Sequence, residues 1–321
     1  MIIYLILALF AGIIAGTITG LIPGIHINLI AVILLGFSAF FLSYFSPLTL
    51  AIFIASMAIT HTFLDYLPSI FLGAPDEDTI LSILPGHEML IKGRAYEAVI
   101  LTLYGSVAAI FLTLLLTPVF IFLLPRIYSH ITNIMPFILI LASGFLFYFE
   151  KKSRLWAILI FILAGFLGIA ALNSTIKEPL LPLLTGLFGA SSLITSVMKK
   201  QKIPKQKIFK LKNIKIKRKS LAKALFASLI ASPLVSFLPG LGSGQAAVIG
   251  SEVTGDLDRK EFLVLLGAIN TMVAGLAFIA LYSIQKPRTG AAVAVGTILT
   301  NITLNNLFFI LGTIIKNFFL R

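Results

Sequence analysis

The sequence predicts an all-α polytopic integral membrane protein of about nine or ten membrane segments, with inverted repeats and broken or re-entrant helices. Of the 321 residues, 59% are hydrophobic and only 12% are charged, and the mean hydropathy is +1.06. A soluble domain cannot bury that much apolar surface, so lipid must form part of the solvent. The chain contains no cysteine, which excludes disulfides and cysteine-ligated metals.

Apolar runs of membrane-spanning length occur along the whole chain. We predict segments at 2–22, 27–45, 48–64, 98–124, 134–149, 155–172, 180–198, 221–238, 262–284 and 290–315. The predicted organisation is a first repeat with its following helices at 1–198, a basic cytoplasmic loop at 199–220, and a second, shortened repeat at 221–321. No hydrophilic stretch is long enough for a separate soluble domain.

The positive charge of the chain is concentrated between these repeats. Residues 199–223 hold twelve of the 25 Lys and Arg residues and no acid, whereas the first 91 residues hold no Lys or Arg. A short basic loop between two membrane segments is typical of the cytoplasmic side and of contact with anionic lipid. We therefore predict a multi-pass protein of the cell membrane, with 199–223 in the cytoplasm, the lipid bilayer as a partner and no nucleic-acid partner.

Two segments share a pattern of an apolar helix that runs into Pro-Gly and restarts with small and polar residues. The first, at 16–28, reads GTITGLIPGIHIN, and the second, at 232–245, reads SPLVSFLPGLGSGQ. Proline removes a backbone donor, and glycine permits a turn, so each helix is predicted to break. Lipid cannot satisfy the bare backbone groups, so each break must be buried or line a wet cavity.

Paired interruptions of this kind predict a transporter site. The restarted helices would present their positive N-terminal ends to an anion, carboxylate or phosphate. The alternative is that both are ordinary kinks, since glycine and proline are common in membrane helices. The predicted substrate-binding residues are Pro23, Gly24, His26, Asn28, Pro239, Gly240, Gly242, Ser243, Gly244 and Gln245.

A second set of polar residues is predicted to handle a coupling ion. His61 and Asp65 are spaced i, i+4 at the end of an apolar run, so they share one helix face. Ionisable residues at membrane depth are costly and functional by default. Together with Asn270 in a later span, they are predicted to hold Na⁺ or H⁺, and no other cofactor or metal is predicted. The alternative is that His61 and Asp65 lie at the membrane interface and only anchor the helix end.

Other charged residues are interpreted as solvated. Asp76, Glu77 and Asp78 form a tight acidic cluster, and three adjacent acids cannot all point at one cation, so we predict a solvated turn. Lys286 and Arg288 lie between two apolar spans and are interpreted as an ordinary inside loop.

Four short motifs occur in order along the chain. They are a Gly-x-x-Pro-Gly stretch at 20–24, a proline turn followed by glycine, methionine and Lys-Gly-Arg-Ala between 73 and 95, a Leu-Thr-Gly-Leu-Phe-Gly segment at 184–189, and a second Pro-Gly stretch at 239–244. In this order and spacing they resemble the large permease subunit of tripartite tricarboxylate transporters. The resemblance covers most of residues 10–250. The chain differs in being shorter, and in having Asp76 where that family commonly has glycine.

The resemblance implies two inverted repeats and ion-coupled uptake of organic anions, such as di- and tricarboxylates, by alternating access. It also implies a periplasmic binding protein and a small membrane subunit as partners, and it leaves a homodimer open. We therefore predict a secondary active transporter, or permease, driven by an ion gradient.

Two other functions are weighed. The same architecture would suit translocation of a lipid-linked phosphate such as a polyprenyl phosphate, because helix N-termini also bind phosphate. An intramembrane enzyme would need a base near Ser243, yet no histidine follows His130, and Asp65 has no obvious second membrane aspartate. We therefore predict no enzyme activity and no catalytic residue.

Overall fold

The structure is a computed structural model that describes most of the chain as helix. The described residues are 2–73, 78–150, 152–176, 179, 182–183, 185–191, 194, 197–198, 203–238, 241–255 and 257–299. Within these ranges no residue is in a β-strand. The predicted all-α class is confirmed.

The helices follow the apolar runs of the sequence. They are α1 (Ile2–Leu21), α2 (Ile27–Gly36), α3 (Ser38–Leu42), α4 (Pro47–Leu64), α5 (Tyr66–Leu72), α6 (Ile83–Ile91), α7 (Ala95–Phe149), α8 (Arg154–Leu172), α9 (Arg218–Phe237), α10 (Ser243–Thr254), α11 (Arg259–Ile284) and α12 (Gly290–Ile298). In the described part of the chain, six stretches are long and apolar enough to cross a membrane: α1, α4 with α5, α7, α8, α9 and α11. This confirms a polytopic membrane protein.

Two predicted spans join into one helix. The segments predicted at 98–124 and 134–149 both lie within α7, a single helix of 55 residues that contains Pro118, Pro125 and Pro136. The polar stretch between the two apolar runs predicted a loop, but it contains no glycine, and each proline removes only one backbone hydrogen bond. The span predicted at 27–45 instead divides into α2 and α3.

Glycines allow two helix pairs to approach closely. Gly12, Gly16 and Gly20 lie along one face of α1, and a methyl group on Gly16 would lie 2.5 Å from the Met57 carbonyl oxygen of α4. Such spacing of small residues is the usual device for close packing of membrane helices. Gly267 of α11 meets the Thr102 carbonyl of α7 in the same way.

Helices α4 and α11 lie at the centre of the bundle. Most of their residues are buried, whereas α8 has no buried residue and packs lightly against α7. One apolar core packs α1 and α4 with α12, a second packs α7, α9 and α11, and α11 contributes to both. The buried polar residues of α4 and α11, which include His61, Asn270 and Thr271, thus lie inside the bundle.

Each helix that restarts after a break packs against the other half of the chain. Helix α2 packs against α12, and the start of α10 lies beside the 3₁₀ turn at Ile80–Ser82. Two related repeats would produce such reciprocal contacts. The inverted relation of the repeats, and their boundaries, stay predictions.

Candidate functional site

The first predicted break is present. Helix α1 ends at Leu21 and α2 begins at Ile27, with Gly24 in the left-handed region at a φ of 83°. No other residue approaches the position of a Gly24 side chain, so glycine is required by the turn and not by crowding. His26 is the N-cap of α2, and its Nδ1 accepts a hydrogen bond of 3.1 Å from the Asn28 amide. The other ring nitrogen, Nε2, lies on the opposite side of the imidazole, 3.8 Å from Asp78 Oδ2.

The second predicted break separates α9, which ends at Phe237, from α10, which begins at Ser243. Pro239 and Gly240, predicted to contact substrate, lie outside the described residues. The Gln245 side chain accepts a hydrogen bond of 3.0 Å from the Gly242 amide, so it caps its own helix. Gln245 is exposed and does not line the cavity described below. Its placement is that of a capping residue.

Arg288 donates hydrogen bonds to the C-terminal end of α9, the helix before the second break. Its guanidinium donates to the carbonyl oxygens of Val235 and Leu238, the last turn of α9. These carbonyls have no partner within the helix and carry the negative end of its dipole. The interpretation of Arg288 as an ordinary loop residue is therefore wrong. The residues next to Arg288 in the sequence do not indicate partners 50 and 53 positions away.

Asp78 joins the two breaks. Its Oδ1 accepts a hydrogen bond of 2.7 Å from the Ser243 hydroxyl at the start of α10. Its Oδ2 lies 3.8 Å from the Nε2 of His26 at the start of α2. Burial raises the pKa of this carboxyl, but the nearby His26 and the hydrogen bonds from Ser243 outweigh it, so the pKa is lowered overall. The prediction of a solvated acidic turn is wrong for Asp78, while Asp76 and Glu77 lie outside the described residues.

A small polar cavity of about 50 Å³ lies between α2, α4 and α11. Its polar lining residues are His26, Asn28, His61, Thr62, Asp65, Asp78, Asn270 and Thr289. It therefore brings together the residues after the first break and the predicted coupling residues. The cavity is far below the several hundred Å³ of a typical ligand pocket.

The predicted coupling residues are buried at the cavity wall. Asp65 and Asn270 are each 5% exposed and His61 is 3% exposed, so these side chains are enclosed by protein, and their depth in the membrane stays a prediction. The amide Nδ2 of Asn270 donates to Asp65 Oδ2 at 2.7 Å. The Nδ1 of His61 lies 3.1 Å from the hydroxyl oxygen of Thr19 in α1. These contacts join the C-terminal end of α4 to α1 and α11.

Two threonines that the sequence analysis did not select lie beside this pair. The hydroxyls of Thr62 in α4 and Thr271 in α11 are 3.0 Å apart, and both residues are buried. Thr271 directly follows Asn270. Thr62 follows His61 and precedes Asp65 by three positions, so the helical repeat could have identified Thr62 as a neighbour of Asp65. The pairing with α11 could not be read from the sequence.

Asn28 closes the start of α12. Its Oδ1 accepts a hydrogen bond of 2.7 Å from the Gly290 amide, the first residue of that helix. A helix N-terminus needs such acceptors because its first amides have no partner within the helix. Asn28 therefore lines the cavity and also stabilises a helix of the other half.

Gly244 lies beside Ile80 and Leu81, and Pro23 and Gly24 form the turn without lining the cavity. Gly242 is the N-cap of α10. Of the ten predicted substrate residues, the structure places His26 and Asn28 at the cavity wall, and Ser243 is joined to it through Asp78. Their role in substrate binding stays a prediction.

Ser243, His26 and Asp78 superficially resemble a hydrolase triad. A serine nucleophile needs a histidine between serine and aspartate to remove its proton. Here the Asp78 carboxylate lies between the other two, and the Ser243 hydroxyl donates to it directly. This order does not supply a base of the serine-hydrolase kind. In the part of the chain that the structure describes, no group of three or more histidines and acids could hold a metal ion.

The fold and the site together define a multi-pass membrane protein in which one interrupted helix lines a polar cavity and the second is joined to that cavity through Asp78. The chain belongs to the tripartite tricarboxylate transporter TctA family, whose profile matches residues 6–318. It is also 36% identical, over 316 residues, to an uncharacterised protein from Methanocaldococcus jannaschii, with 96% of this chain and 75% of that protein covered. No solved structure matches the chain. Membership of this family confirms the resemblance found in the sequence.

Proposed function

We propose that this chain is a secondary active permease for small organic anions, such as di- and tricarboxylates. The observation that carries the proposal is the position of Asp78, whose carboxylate contacts residues of both breaks. A place where the protein's own carboxylate meets an imidazole and a serine hydroxyl is chemically suited to a substrate carboxylate. We assign the substrate-binding role to this junction.

Helix dipoles supply the positive potential at this junction. The N-terminal ends of α2 and α10 carry His26 and Ser243, and each leaves amides without a partner in its helix. None of the described residues lining the cavity is Lys or Arg. Substrate binding therefore relies on amides, hydroxyls and imidazole, as in other transporters with discontinuous helices.

The cavity size supports transport through alternating access. A cavity of about 50 Å³ accommodates water but no tricarboxylate, so the described state has no room for the substrate. Substrate entry requires the junction to open, and opening separates Asp78 from Ser243 or from His26. One half of the molecule then moves against the other around the two breaks.

The coupling ion is assigned to Asp65 and Asn270, with His61 beside them. A buried carboxylate at membrane depth is costly unless a proton or a cation neutralises it. Binding of Na⁺ or H⁺ at Asp65 would also reduce the negative charge of a cavity that must admit an anion. This links cation binding to substrate binding without any nucleotide.

We extend the proposal to partners on the ground of family membership. A binding protein that delivers substrate and a small membrane subunit are the expected partners of the permease. The basic segment 199–223 is assigned to the cytoplasmic side of the cell membrane.

A lipid-linked phosphate is the second candidate substrate, and one observation favours it. An apolar groove of about 400 Å³ lies among α1, α2, α3 and α4, lined by residues including Tyr4, Phe41 and Phe53. It could hold a lipid chain, but it shares no lining residue with the polar cavity. The organic anion therefore remains the first candidate.

Binding and uptake by the purified chain test the proposal. Radiolabelled citrate, succinate and a polyprenyl phosphate are offered to the protein in proteoliposomes, under a sodium gradient and under a pH gradient. Binding is measured on the detergent-purified chain as well, since binding does not require the partner subunits. Citrate or succinate should bind, and the sodium or proton gradient should drive uptake.

Two variants distinguish loss of the substrate site from general destabilisation of the protein. Pro23→Ala with Gly24→Ala should abolish binding and uptake, because a continuous helix removes the free N-terminal amides. Gly165→Ala on the exposed α8, where no atom lies near the added methyl, should leave both unchanged. If only the polyprenyl phosphate is transported, the lipid-linked phosphate replaces the organic anion as the substrate.

A further inference from the structure

The basic stretch between the two halves is an ordered strap, which we define as residues 203–217. Gln206 ties it to the turn between α6 and α7: its Nε2 donates to the Leu90 carbonyl at 3.1 Å, and its Oε1 accepts from the Ala95 amide at 2.9 Å. The Lys207 amide donates to the Gly93 carbonyl at 2.9 Å. The Gln206 side chain thus provides one hydrogen-bond partner for the end of α6 and another for the start of α7.

The inner face of the strap is apolar and packs on the helices. Ile214 is 4% exposed, and Phe209 and Ile216 pack against the same core. The Tyr104 hydroxyl of α7 donates to the strap carbonyls of Leu211 and Ile214, at 3.4 and 3.3 Å. The strap therefore has a fixed orientation with respect to α7.

The outer face of the strap combines lysines with exposed aliphatic side chains. Lys205, Lys207 and Lys210 are exposed, while Ile208 is 82% exposed and Leu211 is 56% exposed. The strap contains no acid. Isoleucine and leucine at this exposure, alternating with lysine, form a surface that is both apolar and cationic.

The acids at this end of the bundle are paired with helix residues. Glu88 contacts Lys92 at 2.7 Å and Arg259 at 2.6 Å. Glu97 contacts Arg94 at 2.5 Å and Lys260 at 2.8 Å. Neither acid pairs with a strap lysine in these contacts, so Glu88 and Glu97 do not neutralise the strap.

We infer that the outer face of the strap binds anionic lipid headgroups at the membrane surface. The strap leads directly into the membrane helix α9, which begins at Arg218, so it lies at the level of the bilayer surface. Ile208 and Leu211 enter the boundary between headgroups and acyl chains, and the flanking lysines reach the phosphates. Clusters of about four to eight basic residues beside a membrane helix bind anionic lipid in this way.

Lipid fits this surface better than a protein partner because its chemistry matches both components. The row of lysines attracts negative charge. The exposed aliphatic side chains are stabilised by an apolar layer directly beneath that negative charge. The Tyr104 hydroxyl lies where tyrosines of membrane proteins commonly meet the headgroups. The inference is independent of what the protein transports.

Fluorescence quenching of a labelled strap tests the inference. The full chain lacks cysteine, so Ile208→Cys accepts a single environment-sensitive fluorophore. The labelled protein is placed in nanodiscs that contain brominated phosphatidylglycerol or brominated phosphatidylcholine at equal total bromine. Stronger quenching by the brominated phosphatidylglycerol is the expected result.

Two pairs of charge variants provide the matched comparison. Lys207→Gln with Lys210→Gln should reduce the preference for phosphatidylglycerol by about tenfold, because each surface lysine adds to the attraction. Lys152→Gln with Arg154→Gln, at the exposed turn between α7 and α8, should leave it unchanged. Equal quenching by both lipids in the unmodified strap would overturn the inference. So would the absence of quenching together with a cross-link from position 208 to a second copy, which would assign the surface to a protein contact.

Discussion

Asn270 donates a hydrogen bond of 2.7 Å to the carboxylate of Asp65, and this bond joins the two buried helices α4 and α11. The two residues lie 205 positions apart and come from opposite halves of the chain. Both are almost completely buried, in a cavity wall shared with His61 and Thr62. The hydrogen bond between Asn270 and Asp65 is therefore one of the contacts that hold the two halves together.

Removing either partner of this bond should have different effects. Asn270→Ala should lower the free energy of unfolding by about 1.5–3 kcal/mol, because it removes a hydrogen bond to a buried ionisable group. Asp65→Asn should retain a hydrogen bond to Asn270 but remove the dependence of uptake on the ion gradient. The measurements are chemical unfolding in detergent and uptake with and without the gradient.

A double-mutant cycle provides the control for this prediction. Asn270→Ala should cost clearly less in the Asp65→Asn background than in the native chain. Asn173→Ala, an exposed asparagine at the end of α8, should have little effect in either background. Equal costs of Asn270→Ala in both backgrounds would show that the carboxylate does not matter.

Arg288 should stabilise the end of α9. Arg288→Gln should lower the unfolding free energy by about 1 kcal/mol, because Val235 and Leu238 lose a charged donor at the negative end of the helix dipole. Arg288→Lys should recover only part of this, since an ammonium lacks the planar fork that reaches two carbonyls. Thermal unfolding of the purified variants checks the ranking. Lys286→Gln, two positions away and exposed, is the matched control.

Close packing of α7 and α11 should not tolerate a side chain at Gly267. Gly267→Val brings branched carbons against the Thr102 carbonyl, so we expect a loss of about 3 kcal/mol or failure to yield a monodisperse protein. Size-exclusion profiles and thermal unfolding give the readout. Gly165→Val, on α8 with open space around it, should behave like the native chain. Similar behaviour of the two variants would contradict the observed helix contact.

Asp78 should govern the charge selectivity of the cavity. Ala274→Cys places a single thiol at the cavity wall, where an anionic and a cationic methanethiosulfonate can be compared. Asp78→Asn should speed the anionic reagent relative to the cationic one by about tenfold, since it removes one nearby negative charge. The rates of modification are followed by mass spectrometry.

The specificity of this effect has its own control. Glu150→Gln removes an acid at the exposed end of α7 and should not change the ratio of the two rates. If Asp78→Asn speeds both reagents equally, the residue acts on opening of the cavity and not on its charge. That outcome would remove Asp78 from the electrostatic part of the proposal while leaving the transport assay untouched.

The sequence predicted those features that depend on local chemistry. Membrane class followed from composition, and the first break followed from Pro23 and Gly24, because backbone rules act on neighbouring residues. His61 and Asp65 were identified from their spacing on one helix face. Their burial could not be decided, because it depends on which helices pack around α4.

The features that the sequence did not predict depend on contacts across the chain. Asp78 was interpreted by its acidic neighbours, whereas its partners His26 and Ser243 lie 52 and 165 positions away. Arg288 was interpreted as an ordinary residue of a cytoplasmic loop, although the carbonyl groups that it binds lie at the end of α9. The continuity of α7 was missed because a polar stretch can be helical as easily as looped when it contains no glycine.

Arg288 and Gly290 are two residues apart, yet they touch different breaks. Arg288 donates hydrogen bonds to carbonyl oxygens that precede the second break. The Gly290 amide donates to Asn28, which lies just beyond the first break. Such a short piece of chain is too stiff to absorb a large displacement at one end. The two breaks are thus connected through residues 288–290, and we expect a displacement at one break to shift the other.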